Sequence, residues 1–300
     1  MTEIRSETFA KAQNATAPRR LPLWLRGWSV EATMPEKAQI AALEGVLEPG
    51  CEIYLSSLPR IQLEDQLAAA VAVHEAGFVP VLHLAARKFV SEQQLADHLG
   101  AAGERAGVRK CLVIAGDLDV ARGPFGSSLD LIDSSAFARS SVVEVGVGGY
   151  PEGHPFVGEE SLAQSLATKV ETARAAGMVP YVVSQFCFDS VRILHWLGWL
   201  RTFEPTLPVK LGVAGPIGAA TLMKIALRCW VDVPSSGVRA VPQLVQKGAP
   251  DRIVGELDAG LKALHEQGAL QLHLYTFGAI ERTARWARAA QTTVELAYEM

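Results

Sequence analysis

Cysteine is scarce: the 300 residues contain four, Cys51, Cys111, Cys187 and Cys229, and no two stand at C-x-x-C spacing. That excludes a zinc ribbon or a disulfide-framed scaffold, and three of the four lie in apolar runs, where a free thiol behaves as a small hydrophobe. Cys and His nowhere group at metal-ligand spacing, so no metal site is expected. Long hydrophobic runs are missing too; no window approaches the ~18 uninterrupted apolar residues that cross a bilayer. Neither sign of charge dominates: 28 Lys and Arg stand against 32 Asp and Glu, a net charge of -4, and no basic run marks a nucleic-acid footprint. The first 20 residues carry Arg5, Lys11, Arg19 and Arg20 without the continuous apolar stretch of a secretory signal. These absences predict a soluble, cytoplasmic protein with neither nucleic acid nor a membrane as partner.

Apolar material is plentiful, at 49% of residues, enough for a large core. Residues 1–20 are polar and without periodicity, and read as a flexible N-terminal arm. From residue 21 to 300 short β-branched runs alternate with longer amphipathic stretches, the mark of βαβ units on a parallel sheet. The strand candidates are Trp28–Ala32, Glu52–Ser56, Pro80–Leu84, Cys111–Ala115, Val142–Gly148, Pro180–Gln185, Val209–Ala214 and Gln271–Thr276. Helix candidates Gln62–Ala76, Glu92–Arg105 and Leu162–Ala176 close on Gly77, Gly107 and Gly177, which suit a left-handed cap. Eight strands fit a closed barrel or an open doubly wound sheet. No Gly-x-Gly-x-x-Gly turn follows the first strand, which tilts the reading to a single-domain α/β protein of the (β/α)₈ TIM-barrel type.

In such barrels chemistry gathers at the carboxyl ends of the strands. Polar residues recur there: Glu31, Ser56, His83, Asp117, Tyr150, His154, Gln185 and Tyr275. Each has a plainer role open to it. Glu31 is either a site acid with a raised pKa or half of an ion pair with Arg26 or Arg60. His83 lies in an apolar run, where a core imidazole is as good an account as a ligand contact. Asp117 follows Gly116, which permits close approach of a ligand to backbone, although Gly-Asp is also a common turn. Gln185 offers a donor and an acceptor side by side, matching the amide edge of a pterin or flavin. Trp24, Trp28, Trp196 and Trp199 fit an association face of a homo-oligomer or, more commonly for aromatic stripes, the core.

Four motifs, Gly116-Asp117-Leu118, Tyr150-Pro151-Glu152-Gly153-His154-Pro155, Ser184-Gln185-Phe186-Cys187-Phe188-Asp189 and His273-Leu274-Tyr275-Thr276, occur in an order and spacing that resembles the methylenetetrahydrofolate reductases. Ser29-Val30-Glu31 and Val81-Leu82-His83-Leu84 add to the likeness, which spans about residues 26–290. The resemblance implies a barrel holding FAD that passes a hydride between flavin and folate. It implies Glu31 as the acid that protonates a folate nitrogen so that the ring opens, Asp117 as the carboxylate beside the pterin and flavin rings, and Gln185 as the amide that orients folate. It implies flavin contacts from Ser56, His83, Gly116, Asp117, Tyr150 and His154, with Phe125 and Gly126 as flanking loop residues. Lys169, or Arg174 in its place, matches the counter-charge of the diphosphate. Thr221 stands where the family places a pterin-binding glutamine.

The chain also departs from the family. Ala115 and Ala279 replace two arginines and Ile225 replaces a stacking aromatic, which leaves NAD(P)H as electron donor open. Three outcomes fit these changes: a reductase using Arg282 and Arg285 instead, an enzyme running in the oxidising direction, or a flavin-free folate oxidoreductase. A non-redox pterin-binding barrel, such as a methyltransferase or a partner subunit, is the remaining alternative.

Overall fold

The computed structural model describes residues 21–218, 249–264 and 268–299. Eight parallel strands close into a barrel in sequence order: β1 Trp28–Ala32, β2 Glu52–Leu55, β3 Val79–Ala85, β4 Lys110–Ile114, β5 Glu144–Gly149, β6 Val179–Ser184, β7 Val209–Ala214 and β8 Leu270–Tyr275. β8 returns to pair with β1, with Ser29 opposite His273. The (β/α)₈ reading of the sequence is therefore correct, and each strand lies within two residues of its expected ends.

Repeated Ala-Gly-x-Val-Pro segments mark the entries to β3 and β6. In both, a helix (Leu63–Glu75 or Glu159–Ala175) ends on a glycine with positive φ, +81° at Gly77 and +76° at Gly177, and the strand starts two residues on. A left-handed residue costs glycine nothing, so the chain reverses without strain. Both prolines then sit at the second strand position, near the strand's start, where a missing N–H is best tolerated.

Two cores result. The larger packs helices onto the outer strand faces, with Leu55, Leu82, Val113, Val145, Val182 and Leu211 among its buried residues. Inside the barrel lies a small cluster of Tyr54, Val81, Leu112, Tyr181 and Val183. Below it the barrel is ionic. Lys110 Nζ is 2.6 Å from Glu52 and 2.8 Å from Glu144, and Lys210 Nζ is 2.9 Å from Glu52. Gly146 makes this interior possible: a Cβ there would meet the Tyr181 ring at 2.6 Å. The tyrosine hydroxyl instead reaches the carbonyl of Cys111 at 3.0 Å. Trp24 and Trp196 are buried, and Trp24 packs edge-on against Trp286, so these two serve the core. Among the described residues no helix is long and apolar enough to cross a membrane.

Candidate active site

A cavity of about 930 Å³ opens at the carboxyl ends of the strands. It is lined by Glu31, Ser56, His83, Gly116, Asp117, Tyr150, His154, Gln185 and Tyr275, so the strand-end residues singled out in the sequence come together on one wall or another. Inward strand positions bring Glu31, His83 and Tyr275 towards one axis, and the common polarity of the parallel strands puts the segments that carry the others at the same end of the barrel.

Glu31 forms the floor. Its Oε1 accepts a hydrogen bond from Ser56 Oγ at 3.1 Å, and Ser56 Oγ is 3.0 Å from Thr33 Oγ1. Its Oε2 lies 3.7 Å from His83 Nε2 and 3.8 Å from His273 Nε2. These are ion-pair separations, too long for hydrogen bonds, and both ring nitrogens are buried without a hydrogen-bond partner. His273 is held from behind by Ser29, whose Oγ is 2.9 Å from Nδ1. Tyr54 packs edge-on against both imidazoles, at 4.6 Å from His273 and 5.9 Å from His83. Thr276 Oγ1 donates to the Glu31 carbonyl at 2.6 Å, fixing the backbone of β1.

The electrostatics of Glu31 reverse the expectation from sequence. Burial pushes its carboxyl up, but the approach of His273, the charge of His83 and the Ser56 hydroxyl together hold it below the usual carboxylate range. The ion pair with Arg26 or Arg60 does not form; two histidines, His83 on β3 and His273 on β8, take that place, which no local pattern encodes. Burial in turn lowers both imidazoles below their ordinary value, against the pull of Glu31. At neutral pH the cluster is thus a carboxylate beside two neutral imidazoles.

Around this floor the walls differ. Gly116 takes φ +92°, and a Cβ there would meet Ala85 Cβ at 2.9 Å, so β3 and the turn after β4 approach as only glycine allows. Asp117 is exposed on that turn. Burial raises the Tyr150 hydroxyl. The Tyr150 ring stacks edge-on with His154 at 5.5 Å, and His154 with Phe156 at 5.9 Å. Gln185 lines the cavity, and its Oε1 accepts from the Phe186 N–H at 3.1 Å, which fixes the amide beside the ligand space. Phe277, with φ +50°, holds a strained backbone beside the cavity and stacks on Tyr275.

Phe125, Gly126 and Lys169 lie outside the lining. Phe125 is buried, and the Gly126 N–H is capped by Asp130 at 2.7 Å while its carbonyl accepts from Arg87 at 3.0 Å. Lys169 stands on helix Glu159–Ala175, where burial lowers its pKa. Arg174 pairs with Glu204 through two bonds of 2.7 Å, and Arg285 with Glu281 at 2.9 Å, so neither is turned to the cavity as a spare cation. Thr221 and Ile225 lie outside the described residues. Sequence reasoning passed over Ser29, His273 and Arg87 as site residues. Ser29 shares a strand face with Glu31, and His273 opens a recognised motif, so both carried a signal; Arg87 carried none.

The sequence profile of the methylenetetrahydrofolate reductases matches residues 62–287, well over half of the chain. The chain belongs to the methylenetetrahydrofolate reductase family. Among solved structures, its fold is similar to that of a Clostridium thermocellum protein that binds two copies of 5-methyl-5,6,7,8-tetrahydrofolic acid. That pair shares 11% identity with a TM-score of 0.66, over 91% of this chain and 95% of the other. A more distant likeness joins it to a dihydropteroate synthase of Thermus thermophilus, at 17% identity and a TM-score of 0.49, covering 91% and 93% of the two chains.

Proposed function

We propose that the protein is an oxidoreductase that interconverts 5,10-methylenetetrahydrofolate and 5-methyltetrahydrofolate. One observation carries this beyond family membership: a carboxylate, Glu31, at the floor of a ring-sized cavity, oriented by Ser56, His83 and the Ser29–His273 pair. The folate-binding neighbour with the same barrel supports the choice of ligand.

The chemistry needs one proton moved at the folate nitrogen that opens or closes the five-membered ring, because an amine anion is a poor leaving group. Glu31 is the group positioned to move it. In the reducing direction it donates the proton as the ring opens to an iminium; in the oxidising direction it accepts the proton as the nitrogen closes on the iminium. The same carboxyl serves both by reversibility. Because the cluster stores Glu31 as a carboxylate at neutral pH, the resting enzyme is poised as the base of the oxidising direction. His273 and His83 position the carboxylate, Gln185 donates to the pterin edge, and Asp117 faces the same ring from the β4 side.

FAD supplies hydride chemistry in this family. The lining around Gly116, Tyr150 and His154 suits a planar heterocycle, but the described residues do not fit the diphosphate. The lining holds Glu31, Asp117, Asp119 and Glu152 against a single guanidinium, Arg87, and Arg87 donates to the carbonyls of Leu118 and Gly126. Helix Glu159–Ala175 opens with Glu159 and Glu160, which repel an anion at its N-terminus. That misfit favours a second reading, in which hydride passes directly between folate and a nicotinamide without a resident flavin.

The deciding experiment is the visible spectrum of the purified protein, then anaerobic addition of 5-methyltetrahydrofolate. A flavin spectrum that bleaches identifies FAD as the carrier. A colourless protein that turns over folate with NAD(P)⁺ establishes the direct route, and one that binds folate but transfers no hydride overturns the oxidoreductase reading.

A further inference from the structure

Tyr54 is the largest fully buried side chain among the described residues, and it lies inside the barrel between two layers of charge. On its cavity side are Glu31, His83 and His273; on its other side are Glu52, Lys110 and Lys210. Alternation sets this order. Along β2 and the residue after it, Glu52, Tyr54 and Ser56 share one face, so a single stretch of chain supplies the ionic layer, the ring and the hydroxyl that bonds Glu31. The ring is anchored from the ionic side. Tyr181 gives its own proton to the Cys111 carbonyl at 3.0 Å, so its oxygen accepts from the Tyr54 hydroxyl at 3.1 Å, while Glu52 Oε2 stands 3.4 Å from that hydroxyl. Towards the cavity the same ring packs on His273 at 4.6 Å and 67° and on His83 at 5.9 Å and 77°.

An imidazole 3.7 or 3.8 Å from a carboxylate is drawn towards its charged form, and in water both histidines would take a proton readily. An imidazolium there would pair with Glu31 and make it a poorer base. Burial opposes this and is the first cause of the low proton affinity of both rings. His273 is faced by Glu31 and Ser29 on β1, Tyr54 and Glu52 on β2, His83 on β3 and Lys210 on β7, with Tyr275 on its own strand. His83 is faced by Glu31, Tyr54 and His273. Among these groups Tyr54 is the uncharged one that packs on both imidazoles. We propose that Tyr54 is a positioning residue for Glu31: its ring, anchored through Tyr181, holds His83 and His273 dry beside the carboxylate, so that Glu31 rather than an imidazole exchanges the proton with folate. This rests on the folate reading and deepens it.

The test follows the side-chain nitrogens of His83 and His273 by ¹⁵N NMR in the ligand-free full chain, for the wild type, Tyr54→Leu and Tyr54→Phe, with His83→Gln and His273→Gln giving the assignments. In the wild type both rings stay neutral as pH passes through the ordinary histidine value of 6.5. Tyr54→Leu admits water, and at least one ring then titrates near 6.5. Below that pH, kcat in the oxidising direction falls about tenfold and recovers above it, while KM for 5-methyltetrahydrofolate stays within about twofold. Tyr54→Phe keeps the ring and restores the wild-type titration and most of kcat. If Tyr54→Leu does not fold, Tyr54→Met is read in the same way. A wild-type imidazolium near pH 6.5 overturns the proposal, as do rings that stay neutral without Tyr54, which reduces it to packing, and a Phe variant that behaves like Leu, which moves the role from the ring to the hydroxyl. Because the titration needs no ligand, a wild type that shows it but turns over no folate overturns the oxidoreductase reading and leaves the clamp on the imidazoles standing.

Discussion

Glu31 behaves as its neighbours dictate. Replacing it by Gln keeps the shape and the Ser56 contact but removes proton transfer, so turnover falls by about 10²–10⁴-fold while 5-methyltetrahydrofolate binding, read by titration, stays within a fewfold. His273→Gln leaves Glu31 without one of the groups holding its carboxyl low, and is expected to move the acid limb of the kcat/KM profile upward. For the wild type, a carboxyl held below its ordinary 4.5 predicts that kcat/KM in the oxidising direction shows no inflection from Glu31 between pH 6 and 8. An inflection near neutrality that disappears in Glu31→Gln contradicts the carboxylate assignment.

Within single elements, β5 and β2 carry the tightest constraints. Gly146→Val forces a methyl-bearing Cβ into the Tyr181 ring, and the Tyr54–Tyr181 and Tyr181–Cys111 bonds at 3.1 and 3.0 Å must break or shift. Such overpacking is expected to cost about 1–3 kcal/mol in denaturant unfolding. On β2, Glu52 sits between Lys110 and Lys210. Burial raises its carboxyl, but the two ammonium groups more than offset this and hold it low. A carboxyl whose folded pKa is depressed stabilises the fold above its unfolded value of 4.5 and loses that contribution as pH falls through the folded value. Glu52→Gln takes the carboxylate from the buried Lys210 ammonium, while Lys110 keeps Glu144 at 2.8 Å, and is expected to destabilise by about 3 kcal/mol at pH 7. Partners such as these were not legible in the strand's own sequence, since Glu-Ile-Tyr-Leu shows alternation but not what lies across the barrel.

For the whole molecule, pH stability has a second contributor far from the site. His98, on helix Glu92–Ala106, is buried beside Phe89, and burial lowers its pKa to about 4. Above 6.5 both folded and unfolded forms are neutral and nothing is gained. As pH falls from 6.5 towards 4 the unfolded chain takes up a proton that the folded chain refuses, so stability falls, by about 3 kcal/mol at the lower end. His98→Leu is expected to flatten the unfolding free energy across that range; an unchanged slope assigns it to other groups.

Much of this architecture was written locally. Eight β-branched runs, the helices between them and the capping glycines are consequences of short-range rules: period-two or 3.6-residue burial, and the freedom of Gly77, Gly107 and Gly177 to take positive φ. Once the barrel is assumed, alternation and strand polarity also place Glu31, His83, Asp117, Tyr150, His154 and Gln185 on one cavity. What tertiary structure alone decided is which charges face which. Glu31 meets histidines from β3 and β8 instead of an arginine, Lys169 stays out of the lining, Arg174 turns to Glu204, and Lys88 is buried against the Ser57 hydroxyl and the Leu58 and Ile61 carbonyls. Periodicity tells a residue which side of its own strand or helix it occupies. Closure of the barrel brings positions more than 200 residues apart to within a few ångströms, and the balance of burial against these distant charges sets protonation and hence chemistry.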